Sequence, residues 1–273
     1  MKLKKFLIIG ATTAVIGGML MGGSFVSGAN LYVGWQDGPK LIKQNSFTKD
    51  LEGKNFKVLD LKISGVNLDV VQGDEWNVST KYSLTKPLLK IKGSTLSVTF
   101  SDQGGLINGT DKNRKIIITV PKNSNLDKLK MVSNYNSTVM KKIKANTYNL
   151  STTSANLSLY NLDGQNMKLN ASLGGTINGS EINLSKLDLN QGYSYVTLSK
   201  LTLLQASTIT NDQGGDLVLN QLSVPGLNIK TNNVVAVDGF GENTASKKGI
   251  FTSGDQKNPL SIDTLGSVTI SAK

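Results

Sequence analysis

Six short apolar-x-apolar units begin at Leu129, Tyr148, Met167, Leu187, Ser207 and Leu227, at steps of 19, 19, 20, 20 and 20 residues. A second strand starts 8–10 residues into each unit, at Val139, Leu157, Ile177, Val196, Leu217 and Val235. A single apolar residue follows 4–5 residues later, at Ile143, Leu162, Ile182, Leu201, Leu222 and Phe240. One such unit cannot bury its own apolar face. Stacked on its neighbours, it shares a continuous core and pairs its strand edges. The repeat therefore predicts a single-stranded β-solenoid with ~20-residue coils ~4.8 Å apart, right-handed as parallel crossovers are. Leu129, Met167, Leu187 and Leu227 should form a buried column. Leucine-rich repeats share the period but carry a Leu/Asn consensus and a helical return, both absent here. No Pro falls between residues 122 and 224, as strands that donate to two neighbours require. Gly174-Gly175 and Gly214-Gly215 suit corners where φ is positive.

Upstream of the repeat, strict alternation starts at Val58. Leu59, Leu61 and Ile63 make one apolar face, followed by Val66, Leu68 and Val70, then Trp76, Val78, Thr80 and Tyr82. Period 2 marks half-buried strands. Leu89–Ile91, Leu96–Phe100 and Ile116–Val120 read as further strands, and 101–115 as a polar loop. Trp76 shares its alternation with Val78 and reads as core. Downstream of Phe240 the register breaks. Residues 241–259 look loop-like, and Leu260–Ile262 with Val268–Ile270 supply one more strand pair, expected to be the closing coil.

The N-terminus is of another kind. Lys2, Lys4 and Lys5 precede a stretch from Phe6 to Gln36 without a single charge. Phe6 to Gly23 is long enough for a transmembrane helix, which needs ~20 residues, and the leading lysines place the N-terminus inside. We expect an uncleaved signal anchor, with one N-terminal transmembrane helix over residues 6–26. The alternative is a signal peptide cut near Ser27-Gly28-Ala29 and a secreted product. Gly10, Ala14, Gly18 and Gly22 recur every four residues, a small-xxx-small stripe that would let two such helices form a homodimer. The expected organisation is then residues 1–29 as membrane anchor or signal segment, 30–57 as juxtamembrane linker and cap, and 58–273 as β-solenoid. This places the protein at the cell membrane, single-pass, with an extracytoplasmic C-terminal domain.

Composition excludes several classes of function. The chain has no Cys and no His, so disulfides and Cys/His metal sites are impossible and the commonest general base is missing. Its net charge is +11, yet Arg114 is the only Arg among 30 basic residues, and aromatics are 6%. Nucleic-acid readers rely on Arg and on aromatic platforms, so nucleic acid is not an expected partner. A Lys-rich surface favours anionic wall polymers or lipid headgroups, and an envelope protein is the other expected partner.

The alternating start from Leu59 to Val70, then Gly73-Asp74 with Trp76 and Val78, resembles the opening of a bacterial putative-adhesin family of unknown function that includes LiaG-like envelope proteins. Ile118-Thr119-Val120-Pro121, followed by Leu126 and the Leu-x-apolar units, is similar to its middle. The Lys-led apolar segment followed by Trp35-Gln36-Asp37-Gly38 is similar to Gram-positive members. The resemblance covers most of the chain and implies a fold and an envelope location. Its names suggest adhesion or envelope stress, and no functional residues carry over.

Enzymatic solenoids use clustered carboxylates. The repeat region offers Asp163, Glu181, Asp188, Asp212, Asp216 and Asp238, with Asp163 and Glu181 expected at equivalent corners and Asp212 and Asp216 near one corner. No dyad spacing repeats, and polar corners commonly carry solvated acids. We therefore expect a non-catalytic binding or scaffold module, without cofactor or metal. The alternative is a carbohydrate-active enzyme on a β-helix scaffold.

Overall fold

The structure, a computed structural model, describes residues 15, 17, 31–35, 39–43, 45–82, 85–101, 114–240 and 244–273. The expected membrane span over residues 6–26, and Gly10, Ala14, Gly18 and Gly22 within it, lie outside the described residues. No helix among the described residues is long and apolar enough to cross a membrane.

Everything else described is strand and turn. β1 (Leu31–Trp35) and β2 (Pro39–Lys43) form an antiparallel hairpin of their own. The remaining strands build one curled sheet of nineteen. Its first part holds β3 (Asn45–Asp50), β4 (Val58–Ser64), β5 (Asn67–Gly73), β6 (Asn77–Tyr82), β7 (Leu88–Lys92), β8 (Thr95–Ser101) and β9 (Lys115–Pro121). The repeat supplies β10 (Leu126–Asn134), β11 (Ser137–Lys141), β12 (Lys144–Thr153), β13 (Asn156–Ser172), β14 (Thr176–Gln191) and β15 (Tyr195–Leu203). β16 (Ser207–Asn211), β17 (Leu217–Leu222), β18 (Gly226–Asp238), β19 (Thr244–Gly254), β20 (Pro259–Thr264) and β21 (Val268–Ala272) complete it.

Within the repeat each strand pairs in parallel with chain about one coil away: Leu129 with Tyr148, Tyr148 with Met167, Met167 with Leu187. This is the pairing of stacked coils, as in a β-solenoid. The inward positions line up across the stack. One column runs Leu96, Leu59, Leu129, Tyr148, Met167, Leu187, Ser207, Leu260 and Leu227, all buried. The core is solid. Between Leu159, Met167, Leu187 and Leu198 the space left is about 10 Å³, hardly enough for one water.

The order of coils in space departs from their order in sequence. The coil of β4 and β5 sits between that of β8 and β9 on one side and that of β10 and β11 on the other. At the far end β20 and β21 pair with β16 and β17 on one side and with β18 on the other. The last strand pair is therefore inserted as the penultimate coil, and the closing coil is β18. Leu227 joins the buried column, but Leu260 separates it from Ser207.

The stretch 241–259 is also not simply a loop. β19 lies antiparallel on β18. At the other end β7 lies antiparallel on β8, β6 on β9, and β3 on β6, so part of the expected 30–57 linker is strand. Both ends thus finish in antiparallel strands that occupy the outermost parallel edge, a device that limits edge-to-edge aggregation. Trp76 is core as expected, edge-on to Phe56 with ring centroids 5.2 Å apart.

One inward assignment shifts by a residue. Thr138, not Val139, aligns with Leu157 and is fully buried. Its hydroxyl lies 2.7 Å from that of Ser133, so the two satisfy each other and the parity of β11 follows Met140. Ser133 belongs to a polar interior row that continues through Thr152, Ala171, Gln191, Asn211, Thr264 and Thr231. Most of these groups serve the adjoining corner. Asn211 Nδ2 donates to Gly215 O, Thr231 Oγ1 donates to Gly266 O, and Thr264 Oγ1 accepts from Gly266 N. Gln191 differs, since both its amide atoms are buried without a partner.

Two sets of corners stack. The second set places Lys142, Asn161, Glu181, Lys200 and Gln221 in the left-handed region, with φ between 53° and 58°. The first includes Gly174, Gly175, Gly214 and Gly215, all at positive φ as expected. It also includes Tyr135 (φ 55°) and Leu173 (φ 58°). For such bulky residues the left-handed conformation costs about 1–2 kcal/mol each.

Tyr148 fills a position where neighbouring coils hold Leu or Met. Its Oη lies 2.7 Å from Ile143 O and 3.0 Å from Asp163 O. The ring needs Gly164 beside it, because a Cβ there would come within 2.7 Å of Tyr148 Cε2 and 2.3 Å of Ala145 O. Burial, the dominant cause, raises the phenol well above its ordinary value, helped by the nearby Asp163 charge. A group whose folded pKa is raised contributes stability that is complete below its unfolded pKa, about 10 for Tyr, and is lost above it. Wild type should therefore lose stability above pH ~10 more steeply than Tyr148→Phe. At neutral pH the variant should be about 1 kcal/mol less stable through the lost hydrogen bond. Denaturant titrations of both proteins across the alkaline range check this.

Candidate binding surfaces

With the core filled there, recognition falls to the outside of the stack. The carboxylates singled out in the sequence do not converge. Asp163 and Glu181 are not at equivalent corners: Asp163 is opposite Asn183, and Asn183 Nδ2 donates to its Oδ1 at 3.0 Å. Glu181 stacks beside Asn161, whose Nδ2 reaches its Oε2 at 3.4 Å, and Lys200 Nζ meets its Oε1 at 3.0 Å. The Lys200 hydrogen bond, more than any other cause, holds the Glu181 carboxyl below its usual range. Asp188 accepts from Thr208 Oγ1 at 3.2 Å, with Lys168 Nζ 3.9 Å away. Asp212 and Asp216 do flank one corner, where Asp216 accepts from Ser267 Oγ. Asp238 ends β18. Among the described residues no group of three or more acidic side chains could hold a metal. The described side-chain contacts of these carboxylates are with Lys, amide and hydroxyl groups.

The cations are organised where the acids are not. Residues 114–160 carry eight basic side chains against one acid, Asp127, whereas residues 161–273 carry eight against nine. The net +7 of that short stretch is most of the chain's +11. Folding divides it between β9, in the outermost parallel coil, and a belt on the adjoining coils of β10, β11 and β12, with the coil of β4 and β5 between the two. Lys128 and Lys130 project from β10, Lys141 ends β11, Lys142 occupies the left-handed corner, and Lys144 opens β12. Lys115 is bridged to Asp69 at 2.7 Å and Lys122 to Asp74 at 2.8 Å. Through that hydrogen bond Lys122 lowers the Asp74 pKa, and Asp74 raises that of Lys122. Lys130, Lys141, Lys142 and Lys144 form no salt bridge among the described residues.

Two open polar grooves adjoin the belt and the second corner. One, of about 500 Å³, is bordered by Lys122, Asn123, Asn125, Lys144, Asn146 and Gln165. The other, of about 550 Å³, lies among Asn161, Glu181, Asn183, Lys200, Gln221 and Lys273. The first sets Lys122 and Lys144 among amide side chains, a chemistry that suits anionic oxygens, with the Asp163 carboxylate also in its lining. The sequence reading noted the Lys excess but missed its concentration. A running charge count would have found the stretch, whereas its arrangement as a belt required the coil register.

Fold and surfaces together define an all-β domain of stacked coils with a solid core and an unevenly charged exterior. The chain belongs to the Toastrack DUF4097 family, whose model matches residues 56–233. Among curated proteins none matches. Three solved structures are similar in outline. A putative cell adhesion protein from Clostridium sporogenes is 16% identical, with 85% of this chain and all of that one covered and a TM-score of 0.38. A putative adhesin from Bacteroides fragilis is 15% identical over 84% of this chain and 97% of its own, with a TM-score of 0.44. A putative lipid binding protein from Parabacteroides distasonis is 10% identical over 83% and 97%, with a TM-score of 0.34.

Proposed function

We propose that the chain is a membrane-anchored, non-catalytic binding module of the bacterial cell envelope. In this reading the coil stack is a stiff β-solenoid rod, held close to the outer membrane face by the apolar segment over residues 6–26. Its cationic belt engages a phosphate- or carboxylate-bearing partner. The observation that carries the proposal is the belt: five lysines against one acid on the adjoining coils of β10, β11 and β12. Scattered surface lysines would not produce such a field, and a local excess of one sign attracts polyanions over a Debye length of ~8 Å at physiological salt. Wall polymers and anionic lipid headgroups share that chemistry.

The test exposes residues 45–273 separately to isolated cell walls and to phosphatidylglycerol vesicles while salt is raised. Retention on one of the two should fall steeply with salt, and Lys130→Glu with Lys144→Glu should abolish most of it. The arm that retains the protein identifies the source. Equal retention of wild type and the double variant, or retention indifferent to salt, overturns the assignment of the belt.

A further inference from the structure

The first corner has an exterior unlike the belt. The register aligns Tyr135, Ser154, Leu173 and Tyr193 on four successive coils, with Gln213 next in line. Ladder bonds run through the turn itself: Tyr135 N donates to Thr153 O, Ser154 N to Ser172 O, and Gly192 N to Ala171 O. Ser154 Oγ donates to Leu173 O at 2.8 Å, tying two rungs together. Tyr135, Leu173 and Tyr193 are 61–63% exposed, as is Tyr195 at 60% on the adjoining strand. Tyr135 and Leu173 also hold left-handed backbone that Asn or Gly adopts with less strain. Folding gains little from these side chains, since they are largely in water, and it bears the strain of two of them.

The surroundings narrow what such a ridge fits. Residues 132–137, 151–156, 170–176 and 190–195 contain no charged residue, in a chain of net charge +11. They are Asn, Ser, Thr and Gln around the aromatic and apolar tips, with Asp212 the first charge beyond. An acidic lipid surface or a phosphate polymer would find no cation here. A protein interface would call for a contiguous apolar patch, whereas Ser154 and Gln213 interrupt this one.

We propose that this corner is a second binding surface, for an extended, uncharged polysaccharide. Hexopyranose rings present apolar faces that lie against Tyr and Leu, and hydroxyls that bond to amide and hydroxyl side chains. The rungs recur every ~4.8 Å, a spacing commensurate with successive rings of an extended sugar chain. A linear repeating ligand thus meets a linear repeating surface, which globular partners do not require. Belt and ridge share coils but lie on different sides of the stack, so this site stands whether or not the belt binds anions.

The experiment uses the purified full-length chain in detergent micelles, with insoluble chitin and cellulose as probes. Retention on at least one of them should persist in about 1 M salt, where the Debye length is ~3 Å. The triple variant Tyr135→Asn, Leu173→Asn, Tyr193→Asn should bind more weakly by over about tenfold. Its melting temperature should hold or rise, because Asn suits the left-handed positions. Lys130→Glu with Lys144→Glu should leave retention unchanged. Any of three results overturns the proposal: no retention of wild type on either glycan, retention by the triple variant equal to wild type, or retention lost with the lysines instead. A triple variant that alters sedimentation but not retention would make the ridge a contact between copies of the chain, and would overturn it too.

Discussion

Removing residues 259–273 should abolish cooperative folding of the C-terminal coils, although the deletion takes only the end of the chain. β20 and β21 are bonded on both sides, to β16 and β17 and to β18. Leu260, Ile262, Val268 and Ile270 are each 1% exposed. Burying four such side chains contributes about 6–12 kcal/mol, comparable with the whole stability of a typical domain, about 5–15 kcal/mol. The deletion also opens facing edges on β16 and β18, where another chain can pair. Denaturation followed by circular dichroism should show a broadened, early transition, and light scattering should rise. A synthetic peptide of residues 259–273 should restore the transition by entering the same slot. A sharp transition in the truncated chain would instead mean that β18 stacks directly on β16 and β17.

Leu187→Asp should prevent folding, whereas Lys186→Asp one residue earlier should shift stability by no more than about 0.5 kcal/mol. Leu187 sits mid-column between Met167 and Ser207, and its amide donates to Ser207 Oγ at 3.0 Å. The change forfeits about 1.5–3 kcal/mol of apolar burial and adds several more for an unpaired carboxyl in the core. Lys186 is exposed on the opposite side of the same strand. Expression and denaturant midpoints of the two variants, measured together, test the inward parity of this strand directly. Similar midpoints would mean that it is wrong.

Much of the interior was legible along the chain. The 19–20-residue recurrence located the column through Leu129, Tyr148, Met167 and Leu187, the Gly pairs located corners, and alternation placed Trp76 in the core. These are local properties: which way a side chain points within a strand depends on its neighbours two residues away. The parity of β11 escaped that rule because Thr138 is buried against a hydroxyl partner five residues back. Hydrophobicity cannot report such pairing. β19 and β3 escaped as well, since edge strands exposed on one side need no regular apolar pattern.

Among the surfaces, the Lys excess was visible as composition, and the acids were visible as residues. That Glu181 stands opposite Asn161 while Asp163 stands opposite Asn183 depends on the coil register. The uncharged ridge is of the same kind. Tyr135, Leu173 and Tyr193 look unrelated in sequence and become neighbours only when coils of 19 and 20 residues are laid on one another.

The sequence by itself determined that this chain stacks coils, which residues point inward in most of them, and that its charge is concentrated before residue 160. Only the tertiary structure decided which coil lies on which. A coil edge is a row of amide and carbonyl groups that any parallel strand can satisfy, so pairing chemistry alone does not choose among partners. Consecutive coils are neighbours from β10 through β17, but the short connections 122–125 and 223–225 each step over a coil, that of β4 and β5 and that of β20 and β21. The long connections, from Asp74 to Ser94 with β6 and β7 and from Gly239 to Asn258 with β19, each lead to the coil beside the one they leave, and their own strands cover the outermost edges. The choice falls to the arrangement that leaves the fewest edges and apolar side chains uncovered. That is a property of the whole assembled stack, and it puts β4 and β5 inside β8 and β9, and β20 and β21 inside β18.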